Sequence, residues 1–232
     1  MGYYYMPYFD YSMLILIPAI IFSLYAQTKI QATFNKYMKV YTTNGLTGSE
    51  AARRILDRNG LYDIPVEVTT GRLSDHYDPS SRTLRLSKDV YYGNTVSSVG
   101  VAAHEAGHAI QHGTGYAPLS VRNSLVPVAN IGSNLSWVLL VLGIIFSFPM
   151  LVSVGIYMFC AVVAFQIITL PVEYNASHRA IEQLEGGGML YGGDLKGARS
   201  VLNAAALTYV AAAITAIAQL LRLLLISRNR RD

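Results

Sequence analysis

Residues 99–110 read Val-Gly-Val-Ala-Ala-His-Glu-Ala-Gly-His-Ala-Ile, with three ionisable side chains, His104, Glu105 and His108, set into an otherwise apolar run. Gly113 follows His112 as a helix stop. On a helix, His104 and His108 lie one turn apart on a single face. Burying three such groups in an apolar helix is costly unless something pairs them. Two imidazoles at this spacing can close on one Zn²⁺, with Glu105 beside a coordinated water. Composition alone yields such a His-Glu-x-x-His pattern by chance about 0.003 times in a chain of this length.

The rest of the chain points to a membrane. Of 232 residues, 52% are hydrophobic and only 14% charged, well below the charge of an ordinary soluble domain. The net charge of +4 is spread along the chain with no basic patch interleaved with stacking aromatics, which argues against nucleic acid as a partner. A lone cysteine, Cys160 in an apolar stretch, excludes an intrachain disulfide and a cysteine-based zinc site.

In chain order, residues 1–26 are expected to form an uncleaved membrane anchor, with Tyr3, Tyr4, Tyr5 and Tyr8 as an aromatic belt. Lys29, Lys36 and Lys39 follow, the pattern of a cytoplasmic flank. Thr47-Gly-Ser-Glu50 is a capping box opening a helix over 51–58, whose Arg53, Arg54 and Arg58 are expected on a solvated face. Residues 65–70 and 82–86 alternate like strands, and the turn residues between them suggest a β-hairpin carrying His76 as a hydrogen-bonded turn histidine. An exposed edge there could hold an extended peptide.

The first part of the catalytic domain is assigned to 27–132, followed by a transmembrane hairpin at 133–170 with Pro149 between its arms. Residues 171–203 are expected to hold a polar helix beginning after Pro171, then a flexible glycine-rich connector. Residues 204–232 form a last apolar helix, capped upstream by Asp194, and a basic tail. The whole is expected to be mainly helical α+β: a zincin-like domain with a short β-hairpin, fused to a transmembrane bundle.

A zinc site needs a third protein ligand and an open position. Residue 114 is Thr, which excludes the metzincin spacing, and His112 beside Gly113 suits a helix-end role. The acidic candidates downstream are Glu173, Glu182 and Glu185.

Four segments, 74–79 (Ser-Asp-His-Tyr-Asp-Pro), 84–87 (Leu-Arg-Leu-Ser), 102–109 (Ala-Ala-His-Glu-Ala-Gly-His-Ala) and 170–177 (Leu-Pro-Val-Glu-Tyr-Asn-Ala-Ser), together with the short anchor, carry a resemblance. Over nearly its whole length the chain resembles the bacterial YugP-type membrane zinc metallopeptidases, a gluzincin-like family. The resemblance implies Glu173 as third zinc ligand, with Ser177 where related proteins carry an Asp that orients a ligand histidine. Asn175 or His178 are the stand-ins for that Asp. It further implies peptide hydrolysis with Glu105 as general base, on a polypeptide substrate in or near the bilayer. Tyr209, His178 and Arg179 are candidate oxyanion donors. The basic loop after the anchor implies a cytoplasmic active site, although a spanning last helix would carry the tail Arg228-Asn-Arg-Arg231 to the other side. The alternative is a zinc-binding membrane scaffold without catalysis. A transporter is disfavoured, because the spans of the 133–170 hairpin carry no intramembrane carboxylate or histidine.

Overall fold

The computed structural model describes residues 11–71 and 74–228; the tyrosine belt falls outside them. A 3₁₀ turn, Tyr11–Ile15, leads into α1, Leu16–Tyr37. Then come α2 (Gly48–Arg58), β1 (Val66–Thr69), β2 (His76–Asp78), β3 (Thr83–Ser87), α3 (Lys88–Tyr91) and α4 (Val96–Gly113). Three long helices complete the chain: α5 (Ala117–Ile145), α6 (Pro149–Gly186) and α7 (Gly192–Arg228). The fold is mainly helical with one small sheet, as expected.

Among the described residues, four helices are long and apolar enough to cross a membrane: Ser12–Tyr37, α5, α6 and α7. α1 packs on α7, α7 on α6 and α6 on α5, so the four form an open row in which α1 and α5 are the outer members. The smaller elements gather at one end of this row, around α4, which is buried against α2, α6 and α7.

Local chemistry explains the short elements. Thr47 Oγ1 accepts from the Glu50 N–H while the Glu50 carboxylate accepts from the Thr47 N–H, closing the capping box of α2. The α2 face bearing Ala51, Ala52, Ile55 and Leu56 is buried. Arg53 does more than meet solvent: its guanidinium donates to the carbonyls of Leu61 and Ile64 and pairs with Asp57. It thereby holds the turn that leads into the sheet.

The sheet corrects one expectation. β1 and β3 are not a hairpin; they pair in parallel, and β2 lies antiparallel on the other side of β3, giving the order β1-β3-β2. Parallel neighbours need a crossover, and segment 70–82 supplies it with β2 inside. The tight turn belongs to β2–β3, where the Asp78 carboxylate accepts from Ser80 N–H and Ser81 Oγ, and Arg82 takes a positive φ of 50°.

The helix boundaries correct others. Lys29 and Lys36 ride on α1 itself, which runs well past residue 26. Pro171 does not end the helix but sits inside α6, where its missing N–H leaves one helix carbonyl without its usual partner. Packing outweighs that loss: Val172, Glu173, Ala176 and Ala180 are all buried beyond the proline. The glycine-rich connector is short, residues 187–191, and its Met189 and Leu190 are buried in the core. Asp194 does not cap α7 but reaches back to accept from the backbone N–H and hydroxyl of Thr43.

α4 and α6 approach closely at Gly107. A Cβ there would stand 2.5 Å from the carbonyl oxygen of Ala176, a backbone atom that cannot step aside. Gly107→Ala is therefore expected to cost about 1–3 kcal/mol and to lower the melting temperature in detergent. Gly186→Ala, which meets open space, is the control expected to leave it unchanged.

Candidate metal centre

The His-Glu-x-x-His segment lies mid-helix in α4, and the close α4–α6 contact brings Glu173 against it. Nε2 of His104 lies 3.3 Å, and Nε2 of His108 3.5 Å, from Oε2 of Glu173. All three donor atoms fall within 4.8 Å of one another. Tetrahedral coordination at zinc distances sets neighbouring ligand atoms about 3.3–3.6 Å apart, so the Glu173–histidine spacings match those of a shared ion. Glu173 is 3% exposed, and a carboxylate so buried requires a counter-charge. Two imidazoles and one carboxylate, with one side open to a cavity, fit a zinc ion.

Each histidine is held from behind. His108 Nδ1 meets Gln111 Oε1 at 3.0 Å, and the amide of Gln111 donates to the Val172 carbonyl and to Asn175 Oδ1. Asn175 Oδ1 also accepts from Arg179 Nε at 2.8 Å. His104 Nδ1 meets Ser177 Oγ at 3.1 Å. With the proton on Nδ1 of both rings, each Nε2 lone pair is free to face the common point. Burial alone would push the His108 pKa down, but its hydrogen bond to Glu173 and the charge of Glu105 outweigh this and raise it. Protons and a metal ion thus compete for the same donors.

Glu173 divides its two oxygens. Oε2 faces the histidines, while Oε1 lies 3.8 Å from the Arg122 guanidinium of α5. Tyr209 of α7 lines the same cavity as Glu173. Glu105 stands beside the cluster, its Oε2 accepting the backbone N–H of Tyr77 in β2 at 3.0 Å. The Tyr77 hydroxyl in turn pairs with His112 Nδ1 at 2.8 Å, one turn further along α4. These groups line a cavity of about 390 Å³ whose walls come from α1 (Phe34), β2 (Tyr77), α5 (Arg122) and α7 (Tyr209).

The candidates from sequence sort clearly. His104, Glu105, His108, Glu173 and Tyr209 converge on the cavity. Asn175 and Arg179 stand behind Gln111, and Arg179 lies over the Tyr116 ring, so neither faces the cavity as an oxyanion donor would. His178 points away, exposed and paired with Glu182, which removes it both as donor and as the stand-in for the missing Asp. Ser177 itself fills that place. Gln111, Arg122 and Tyr77 escaped the sequence reading. For Gln111 a signal existed: it lies three residues after His108, where the helix presents it to the same face. Arg122 and Tyr77 are brought in by long-range packing and carried no local signal.

Two comparisons bear on this site. The family described as "putative neutral zinc metallopeptidase" matches residues 12–228. The "putative membrane protease YugP" of Bacillus subtilis (strain 168) is 48% identical over 216 residues, covering 93% of this chain and 96% of that protein. No solved structure matches. The membrane relative and the four apolar helices together make this a membrane protein. With a family match spanning the metal cluster and nearly the whole fold, the chain belongs to the putative neutral zinc metallopeptidases.

Proposed function

We propose that this chain is a membrane-embedded zinc endopeptidase, with His104, His108 and Glu173 as metal ligands and Glu105 as general base. The observation that carries the reading is the ligand-spaced trio opening onto a cavity beside the Glu105 carboxylate. His104, His108 and Glu173 would hold the zinc ion, which would supply Lewis-acid polarisation of a scissile carbonyl and make a nearby water more acidic. Glu105, oriented by the Tyr77 N–H, accepts the water's proton and passes it to the leaving amine. Arg122 on Oε1 keeps Glu173 presenting Oε2 to the ligand cluster. Tyr209, the one candidate donor lining the cavity, shares the charge that develops on the substrate oxygen. The outer edge of β2, where the Tyr77 N–H already donates to Glu105, borders the path of an extended polypeptide past the site.

The membrane orientation follows from charge. All four apolar helices span, in this reading. The ends of α1 and α6 and the starts of α5 and α7 meet at the site, with Lys29, Lys36, Arg53 and Arg85 on that side. The α5–α6 loop, 146–148, carries no charge, and Arg222 and Arg228 are the exceptions at that end of the bundle. The basic bias assigns the site to the cytoplasm.

Purified protein is expected to hold one zinc per chain. Glu105→Gln should keep the zinc and lower casein cleavage by about 10²–10⁴-fold, while Glu173→Ala should lose it. Full zinc retention in Glu173→Ala, read by elemental analysis, would remove Glu173 from the ligand set. Gln111→Leu, which strips the partner of His108 Nδ1, is expected to weaken zinc binding about 10–100-fold in a chelator competition. For orientation, in a Cys160→Ser background, Ser147→Cys should react with a membrane-impermeant maleimide in intact cells and Ser80→Cys only after lysis; the reverse pattern would invert the topology.

A further inference from the structure

We propose that the gap between α1 and α5 is a lateral, bilayer-facing entrance, and that its occupant is a membrane-spanning helix of the polypeptide substrate. This rests on the protease reading and names the substrate class: proteins with an apolar span whose cleaved segment emerges beside the site. Four observations combine. First, the outer helices of the row, α1 and α5, both line the cavity yet do not pack on each other. The cavity is therefore flanked by helices that otherwise face lipid.

Second, the cavity face of α1 runs on into the membrane. Gln27 and Gln31 line the cavity, and at helical spacing the same stripe continues through Leu24, Ile20 and Ile17, all 46–62% exposed. Third, the matching face of α5 is polar where a lipid-facing helix should not be. From Asn123 in the cavity wall, spacings of seven and four lead to Asn130 and Asn134, both exposed inside a candidate span. Asn134 donates one hydrogen bond back to the Asn130 carbonyl, which leaves amide capacity on both side chains. Fourth, the α6-facing side of α5, with Ala129, Gly132, Ser136 and Leu140, lies on another face, so the asparagines are not part of that packing.

An amide pair at membrane depth is costly against hydrocarbon but serves as a hydrogen-bonding strip for another helix. Apolar residues on one wall and amides on the other suit a substrate helix better than acyl chains, which satisfy no amide. A helix seated there would deliver the chain leaving its end to the cavity, next to Glu105 and β2.

The test reads binding, in Glu105→Gln protein, so it does not depend on cleavage. Benzoylphenylalanine is placed at Leu24, on the entrance face, or at Tyr25, on the outward face, in phosphatidylethanolamine/phosphatidylglycerol nanodiscs. The probe is a synthetic peptide with an apolar span of about 20 residues followed by a polar, extended segment; the polar segment alone is the comparison. The expected result is capture of the spanning peptide from position 24 at least fivefold above position 25 and above the polar segment, falling at least fivefold in Asn130→Leu/Asn134→Leu. Equal capture at both positions, capture insensitive to the asparagines, crosslinking of the chain to its own copy, or crosslinking to lipid alone would each overturn the entrance. Failure of the protease reading has a separate signature, the absence of Glu105-dependent casein cleavage, and leaves this binding result standing.

Discussion

One buried carboxylate sets the terms for this molecule. Glu173 sits almost fully out of water between two imidazoles, and its charge is tolerable only because His104, His108, Arg122 and Tyr209 surround it. Those partners come from three helices, α4, α5 and α7, while Glu173 itself belongs to a fourth, α6. Satisfying one ionised group therefore demands that the helical row and the α4 domain meet in a single arrangement. The glycine at 107 makes the meeting possible, because only a residue without Cβ lets the α6 backbone pass so near α4.

The same demand explains why α6 tolerates Pro171. A break there would detach the ligand helix from the span that carries it back from the far side of the bundle. Instead the helix stays continuous through the proline, and the buried residues just beyond it supply the packing that offsets one missing hydrogen bond. Ser177, Asn175 and Arg179 follow on the same helix, so Pro171 separates an apolar, lipid-facing length from a length that builds the support of the site. Arg122 on α5 and Tyr209 on α7 repeat this division, each at the site-proximal end of an apolar helix. Under the proposed function, this arrangement would put the chemistry at the mouth of the membrane bundle, within short reach of a bilayer-borne substrate.

Support behind the histidines comes from uncharged side chains. The hydroxyl of Ser177 meets His104, and the amide of Gln111, itself bonded to Asn175, meets His108. Neutral partners orient the rings without adding a second carboxylate, which keeps the negative charge of the cluster on Glu173 and Glu105 alone. On the other flank, Tyr77 ties the edge strand to both Glu105 and His112. The strand that flanks the cavity is thus registered directly on the helix that carries Glu105.

The sequence by itself determined the elements whose signals are local. The i, i+4 histidines with their adjacent Glu, the capping box at Thr47 and the apolar lengths that need a membrane are all read within a few residues. Each follows from helix periodicity or from the cost of burying polar groups. Only the tertiary structure decided which strand pairs with which, that α6 runs through its proline, and that His178 turns outward while Ser177, Gln111, Arg122 and Tyr77 turn to the site. Those outcomes rest on contacts between residues far apart in the chain. Packing energy there exceeds the local preferences of a proline or a turn, and no short window of sequence contains both partners.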